Sequence, residues 1–171
     1  MAIESKFLTD VLTYLTETVG GDWLLTGGSL VRLEFDDTRS TEDIDLAHFV
    51  SAAAQSIPTK ESALSQLYRW LIQQGSGPEW VNLAVEAFLN EVPNWRTHVV
   101  EMKRGSQGAV FRPTLTLFVY LKLRRGTPID LDDIRAAAKK CPESFDLALL
   151  RSWGNARVNE KVASLKGELK F

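Results

Sequence analysis

The chain has 171 residues, of which 44% are hydrophobic and 25% are charged, and its formal net charge is −2. This length allows one domain with a substantial core, and the composition excludes a largely disordered chain. The small net charge excludes a general attraction to nucleic-acid backbones, although it leaves room for a local basic patch. We therefore expect a single domain over residues 1–171.

Membrane insertion and export are not indicated by the sequence. No hydrophobic run approaches the roughly twenty residues that a membrane span requires, and the N-terminus is amphipathic, without a visible targeting signal. Cys141 is the only cysteine, so no disulfide can form within the chain. We expect a cytoplasmic protein without a membrane partner.

The first fifty residues predict two helices and two strands in alternation. Hydrophobic residues recur at three- and four-residue steps over residues 3–19, which predicts an amphipathic helix that ends at the following glycines. The apolar run at residues 23–25 predicts a strand, and residues 30–35 fit a short helix. Residues 43–46 alternate between polar and apolar side chains, which predicts a second strand.

The remainder of the chain predicts helices and one hairpin. Propensity favours a strand after Pro113, whereas the family resemblance described below implies a helix. A proline in the first turn and a basic ending suit the helix, which we expect. A loop is predicted over residues 51–59, in which Thr59 or a neighbour caps the next helix, and helices follow over 64–72 and 78–90. A hairpin is predicted with strands over 97–103 and 109–112. The last predicted helices cover 114–125, 131–140 with Asp130 as its cap, 143–153 and 157–169. Together they predict a small mixed β-sheet flanked by helices, an α+β or α/β arrangement, with a helical C-terminal portion from about residue 113.

A glycine turn separates the first strand from the short helix. Gly27 and Gly28 are followed at once by Ser29, and the helix N-terminus lies at the glycines. Free backbone N–H groups there, with no side chain beyond Cα to block approach, form a site where a phosphate can rest. Taken alone, the same residues fit a tight turn in which Ser29 caps the helix.

Two acids follow about fifteen residues later, in the sequence Asp43-Ile44-Asp45-Leu46. The period of two in a strand places both carboxylates on one face. Like charges that close repel each other unless a divalent cation lies between them, and such oxygen ligands suit Mg²⁺. Taken alone, the pair fits a solvated strand face. The order of glycine turn and acid pair favours a combined phosphate and metal site.

The combined pattern resembles the nucleotidyltransferase superfamily, whose members carry a Gly-Gly/Ser turn before a helix and then an acid-x-acid strand. It is most similar to minimal members, including toxins of abortive-infection toxin-antitoxin systems, which have a GG[ST] turn followed by R-x-T-x-D-I-D-L. The matching residues here are Gly27, Gly28, Ser29, Arg39, Thr41, Asp43, Ile44, Asp45 and Leu46. A second likeness, to the family segment K-L…D-L-x-D-I, covers Lys122, Leu123, Asp130, Leu131, Asp133 and Ile134.

The resemblance implies a mechanism and assigns expected roles. Asp43 and Asp45 would hold Mg²⁺ (or Mn²⁺), while the backbone at Gly28 and the Ser29 hydroxyl would hold the outer phosphates of a nucleoside triphosphate. Lys122 would steady the triphosphate, or else it is a snorkelling lysine in an apolar helix. Arg39 would reach a phosphate, or else it pairs with a nearby acid, Asp36, Asp37 or Glu42.

A complete site in the superfamily normally includes a third carboxylate. Glu101, on the predicted strand at residues 97–103, is the candidate for this metal ligand, with a surface or hairpin charge as the alternative. Asp130 and Asp133 are expected to act first as caps and ion-pair partners at a helix start. The arginines 104, 112, 124 and 125 either form a basic patch near the acids or are scattered solvated charges.

These observations lead to one leading hypothesis and two alternatives. The leading hypothesis is a metal-dependent nucleotidyltransferase that moves a nucleoside monophosphate from a nucleoside triphosphate to a hydroxyl of RNA, protein or a small molecule. By resemblance, it would act as a toxin or stress effector with an antitoxin or other protein partner. The first alternative is a catalytically inactive module of this fold that binds a nucleotide or partner protein. The second is the immunity partner of a toxin.

Overall fold

The central strand of the sheet, β1 (Gly21–Thr26), is buried along its whole length. We describe residues 2–49, 58–165, 167 and 169 of a computed structural model. The other strands are β2 (Ile44–Phe49), β3 (Val81–Asn82), β4 (Val99–Arg104) and β5 (Gly108–Pro113), in the spatial order β3-β2-β1-β5-β4. β1 is antiparallel to β2 and parallel to β5, so the sheet is mixed and the fold is α+β.

Eight α-helices lie in the described part of the chain. They are α1 (Ser5–Tyr14), α2 (Gly27–Leu30), α3 (Lys60–Gln73), α4 (Val85–Leu89), α5 (Leu115–Arg125), α6 (Pro128–Lys140), α7 (Leu147–Ser152) and α8 (Ala156–Ala163). π-helical turns over Leu15–Val19 and Val31–Phe35 extend α1 and α2, so these two helices cover nearly the ranges that hydrophobic periodicity predicts. None of the helices in this part of the chain is long and apolar enough to cross a bilayer.

The segment after Pro113 forms a buried helix, as expected. The Thr114 side chain accepts a hydrogen bond from the Leu117 N–H at 3.4 Å, and Gly126 ends α5 in the left-handed conformation. Leu117, Phe118 and Val119 are all fully or almost fully buried. Packing on several sides therefore overrides the strand propensity of this sequence.

The start of α6 differs from the prediction by three residues. Thr127, not Asp130, is the N-cap, and the helix begins at Pro128. The Thr127 and Asp130 side chains form a reciprocal capping box, in which each accepts a backbone hydrogen bond from the other residue. Asp130 thus stabilises the helix start from its first turn.

The predicted helix over residues 78–90 is wrong. Pro78–Trp80 forms a 3-10 turn, β3 follows, and only Val85–Leu89 is α-helical. Val81 pairs with Ile44, so this stretch adds an edge strand to the sheet instead of continuing a helix. The helices predicted over 143–153 and 157–169 are shorter, since α7 and α8 span six and eight residues.

The remaining local predictions are confirmed where the structure describes them. β4 and β5 form the predicted hairpin, and the β2 strand begins next to the first acid of the pair. Thr59 caps α3 by accepting the Ser62 N–H at 3.2 Å. Most of the predicted loop over 51–59, residues 51–57, lies outside the described residues.

Candidate functional site

Gly27 occupies the point where β1 gives way to α2, directly against the acid pair. Its φ is +67°, a conformation that favours glycine, and a Cβ built on it would overlap the carboxylate of Asp45. The register of β1 and β2 explains this approach, because Thr26 pairs with Asp45 and Gly27 is the next residue. Glycine is therefore required here both by the backbone and by the carboxylate.

The two acids lie side by side, as the strand period predicts. Ile44 and Leu46 are fully buried on the opposite face of β2. The Asn82 side-chain N–H₂ group on β3 donates to Asp45 Oδ1 at 2.8 Å and to Asp43 Oδ2 at 3.4 Å. One amide group thus reaches both carboxylates.

Asn82 is the site residue that sequence reasoning missed. Its Oδ1 accepts the Ala84 N–H at 3.0 Å, which leaves its N–H₂ group facing the acids. The residue lies within the segment that was predicted as helix, and no motif marks it. Only the pairing of β3 with β2 brings it to the site.

Asp45 is destabilised as a carboxylate. Burial and then the neighbouring Asp43 charge raise its pKa from 3.8 to about 6. Lys122 and the hydrogen bond from Asn82 act in the opposite direction and lower the pKa. The positive side of the cleft therefore partly compensates the repulsion within the acid pair.

An ion-pair network built on two buried carboxylates, Asp130 and Asp133, faces the acids across the cleft. Lys122 Nζ on α5 lies 2.6 Å from Asp133 Oδ2 and 3.6 Å from Asp130 Oδ1. Arg39 Nε donates to Asp133 Oδ1 at 2.8 Å, and Arg125 makes two hydrogen bonds to Asp130. Three cations thus surround two carboxylates, which leaves one unit of positive charge on this wall.

Asp130 is firmly ionised within this network. Burial acts to raise its pKa, but the hydrogen bonds from Arg125 and Thr127 outweigh burial and bring the pKa to about 2. Asp130 is therefore a permanent counter-ion of the basic residues. The sequence indicated its pairing with basic residues, whereas the N-cap of α6 is Thr127.

The acids, the glycine turn and the network line one cleft of about 900 Å³. This volume is within the range of small-molecule sites. The lining includes Gly27, Gly28, Arg39, Asp43, Asp45, Asn82, Lys122, Arg125, Arg157 and, on α4 and α5, Ala84, Val85, Phe88, Leu121 and Arg124. The cleft therefore has an acidic floor, a basic wall and an apolar end.

Arg39 lies in the cleft but does not pair with any of the acids expected from the sequence. Its partner is Asp133, 94 residues away, and its guanidinium also contacts the Ser40 carbonyl. A Cβ at Gly28 would lie 3.4 Å from Arg39 Nη2 and 3.0 Å from Thr41 Oγ1. Arg39 therefore extends over the glycine turn, next to the expected phosphate position.

Ser29 is not brought to the cleft. Its side chain is fully buried, and its hydroxyl donates to the Thr26 carbonyl at 3.1 Å. The prediction that the Ser29 hydroxyl contacts phosphate is therefore wrong, because this hydroxyl faces inward and stabilises the turn. It does not cap a helix N–H either.

Glu101 also lies away from the acids. It is on the edge strand β4, separated from β2 by β5 and β1, or by about 14 Å at normal strand spacing. Its carboxylate pairs with Arg104, and Arg112 pairs with Glu143. Glu101 is therefore not the third ligand, and only Arg124 and Arg125 of the four predicted basic residues line the cleft.

The donor set suits a cation that brings other ligands with it. In the described ranges, no group of three acidic, histidine or cysteine side chains could hold a metal ion. Asp43 and Asp45 alone match the one or two carboxylates that Mg²⁺ commonly takes, with water and phosphate oxygens completing the shell. The raised pKa of Asp45 shows that a cation beside this pair would relieve a repulsion.

Comparisons with known proteins give no relative. No protein-family model matches the chain, and no curated protein and no solved structure matches it. The site is therefore interpreted from its own geometry.

Replacing Gly27 tests the close approach of the turn to the acid pair. We expect Gly27→Ala to lower the free energy of unfolding by at least about 2 kcal/mol, because alanine disfavours positive φ and its Cβ overlaps Asp45. Gly28→Ala is the matched control: φ there is not positive, and the nearest contact is 3.0 Å. Urea unfolding measures the free energy of unfolding of both variants, and equal losses would contradict the close approach of Gly27 to Asp45.

The pKa of Asp45 predicts how stability changes with pH in the metal-free protein. The folded state holds this proton more tightly than the unfolded state, so stability falls as the pH rises from about 4 through 6. A pKa raised from 3.8 to about 6 corresponds to about 2 to 3 kcal/mol at neutral pH. Asp45→Asn should therefore melt about 5 °C higher than the parent protein at pH 8.

The difference in melting temperature should nearly disappear near pH 3, where Asp45 is mostly protonated in both the folded and the unfolded state. Glu101→Gln removes an exposed, ion-paired carboxylate and should show no such gain at pH 8. An Asp45→Asn gain of equal size at both pH values would exclude titration of this carboxylate as its cause.

Proposed function

We propose that this chain is a metal-dependent nucleotidyltransferase with a nucleotidyltransferase-like fold. One observation carries the proposal: the carboxylate of Asp45 lies directly against Gly27, and Asp43, the glycine turn and the basic wall line the same cleft. A nucleoside triphosphate needs the carboxylates, the glycine turn and the basic wall, because it carries several negative charges and a divalent cation. The motif likeness supports the same conclusion.

Backbone and side-chain groups of the cleft each contribute to binding the polyphosphate. The backbone at Gly27 and Gly28 lines the cleft, and a polyphosphate can approach it closely because neither residue carries a side chain. Arg39 and Lys122 face the same space, fixed in place by Asp133. Their net positive charge attracts the outer phosphates, which orients the α-phosphorus towards the acids.

Mg²⁺ or Mn²⁺, held by Asp43 and Asp45 and by phosphate oxygens, would neutralise the charge that develops on the phosphates. In the reaction, an acceptor hydroxyl oxygen forms a bond to the α-phosphorus. The bond from that phosphorus to the bridging oxygen breaks, and pyrophosphate leaves. In the described segments no third acidic, histidine or cysteine side chain completes a metal-binding group with the pair. We propose that the hydroxyl proton passes to water.

The acceptor and the cellular role are proposed from the resemblance. The acceptor is a hydroxyl of RNA, of a protein or of a small molecule, and the setting is the cytoplasm. A toxin or stress effector with this activity would be held in check by an antitoxin. Co-expression with the product of a neighbouring gene tests this role, because relief of growth arrest identifies the antitoxin.

Label transfer tests the enzymatic proposal. The protein is incubated with each α-labelled nucleoside triphosphate, with Mg²⁺ or Mn²⁺, and with RNA, protein or small-molecule acceptors. Asp43→Asn and Asp45→Asn should each reduce transfer by about 100-fold or more, since each removes a charge that acts in the transition state. Glu101→Gln, which removes a carboxylate outside the cleft, should transfer normally.

Transfer that survives both aspartate substitutions would exclude the proposal. A second candidate function is a catalytically inactive module of the same fold, and the lack of a third metal-binding side chain beside the pair in the described residues favours it. It predicts nucleotide binding without label transfer to any acceptor. Calorimetric binding together with the transfer assay therefore separates the two functions.

A further inference from the structure

Phe88 is an exposed aromatic side chain at the apolar end of the cleft. Ile72, Phe88 and Ile129 are the large hydrophobic residues that are exposed in the described part of the chain, and only Phe88 of these lines the cleft. Its side chain lies on α4 and is 39% exposed. An aromatic ring left in solvent at the rim of a polar cleft offers a surface for a flat partner.

Arg124 stands over the Phe88 ring and is held there. Its guanidinium carbon lies 5.2 Å from the ring centroid, and its Nη2 is 2.8 Å from Glu91 Oε1. Tyr120 donates its hydroxyl to the other Glu91 oxygen at 3.3 Å. Arg124 is thus held beside Phe88 by Glu91, just after α4, which also accepts a hydrogen bond from Tyr120 on α5.

The pair lies one helical turn from the acid site. The Ala84 N–H binds the Asn82 side chain, which itself contacts both acids, and α4 runs from there to Phe88. Four residues of helix cover about 6 Å. Ala84, Val85 and Leu121 line the intervening space. A ligand with its phosphates at the acids therefore extends its other end towards Phe88.

We propose that Phe88 and Arg124 form a nucleobase subsite. The base stacks on the Phe88 ring, and the Arg124 guanidinium adds a cation against the stacked pair. The apolar side chains around it suit the faces of a base, whereas the basic wall suits phosphates. This inference rests on the proposed function and extends it to the part of the ligand that carries the base.

Binding measurements separate the base from the phosphates. Calorimetry compares inorganic tripolyphosphate with nucleoside triphosphates whose α,β-bridging oxygen is replaced by methylene, both in Mg²⁺. Phe88→Ala should weaken nucleotide binding by about 5- to 100-fold, because stacking on one aromatic ring contributes that much affinity. Tripolyphosphate should bind Phe88→Ala as it binds the parent protein.

Matched variants distinguish stacking from simple burial. Phe88→Tyr keeps a flat ring and should retain nucleotide affinity, whereas Phe88→Leu keeps the apolar volume and should lose it. Ile72→Ala truncates an exposed hydrophobic residue outside the cleft and should change the affinity for neither nucleotides nor tripolyphosphate. Melting curves of all four variants establish that each is folded.

A second arm identifies which base occupies the subsite. A short oligoribonucleotide with a 3′ hydroxyl is compared with the same chain lacking its terminal base. A loss confined to the nucleotides places the base of the triphosphate on Phe88, and a loss confined to the intact oligoribonucleotide places the acceptor's base there. Either loss supports the subsite.

Unchanged affinity of Phe88→Ala for both ligands, with tripolyphosphate still bound, would overturn the subsite alone. Absence of binding of nucleotide and tripolyphosphate to the parent protein would overturn the proposed function together with the subsite. The two failures are therefore distinguishable.

Discussion

The repulsion between the carboxylates of Asp43 and Asp45 is the constraint on which the rest of the site depends. Asp43 directly precedes β2 and Asp45 is the second residue of that strand, and the antiparallel register with β1 places the Asp45 carboxylate against the backbone of Gly27. Burial and then the repulsion by Asp43 raise the pKa of Asp45. A protein that retains this arrangement gives up stability at neutral pH, which is common where a site must bind a cation or a charged ligand.

The C-terminal helices supply the opposite charge. Lys122 lowers the pKa of Asp45 from across the cleft, although the same ammonium group contacts Asp133 and Asp130. Asp133 also holds Arg39, so one buried carboxylate fixes cations from α5 and from the segment before β2. Removal of a buried partner of this kind leaves uncompensated charge, so the network ties the two halves of the chain together. The site is therefore assembled only when α5 and α6 pack against the β1–β2 region.

Local signals in the sequence predicted much of this architecture. The glycine turn, the acid-bearing strand and the β4–β5 hairpin each follow from periodicity or turn chemistry within about fifteen residues. The α5 helix is expected from the family resemblance, against strand propensity. Apart from the Ser29 hydroxyl and the N-cap of α6, which are local errors, the wrong predictions concern pairings between distant segments. The sequence predicts a helix at Val81 and Asn82 because nothing nearby shows that they pair with β2. Arg39 pairs with Asp133 on α6, which is far in the sequence from the acids expected as its partners. Glu101 has the right residue type on a strand, but strand order places it at the far edge.

The amide of Asn82 determines what kind of metal site the proposed function requires. Its oxygen accepts the Ala84 N–H, so its N–H₂ group faces the acids, and a donor cannot ligate a cation. A cation between Asp43 and Asp45 would then have these two carboxylates as its side-chain ligands in the described ranges, and the other positions would fall to water and phosphate oxygens. Such a cation binds best together with the polyphosphate. The basic wall that holds the polyphosphate is accordingly part of the metal site as well as of the nucleotide site.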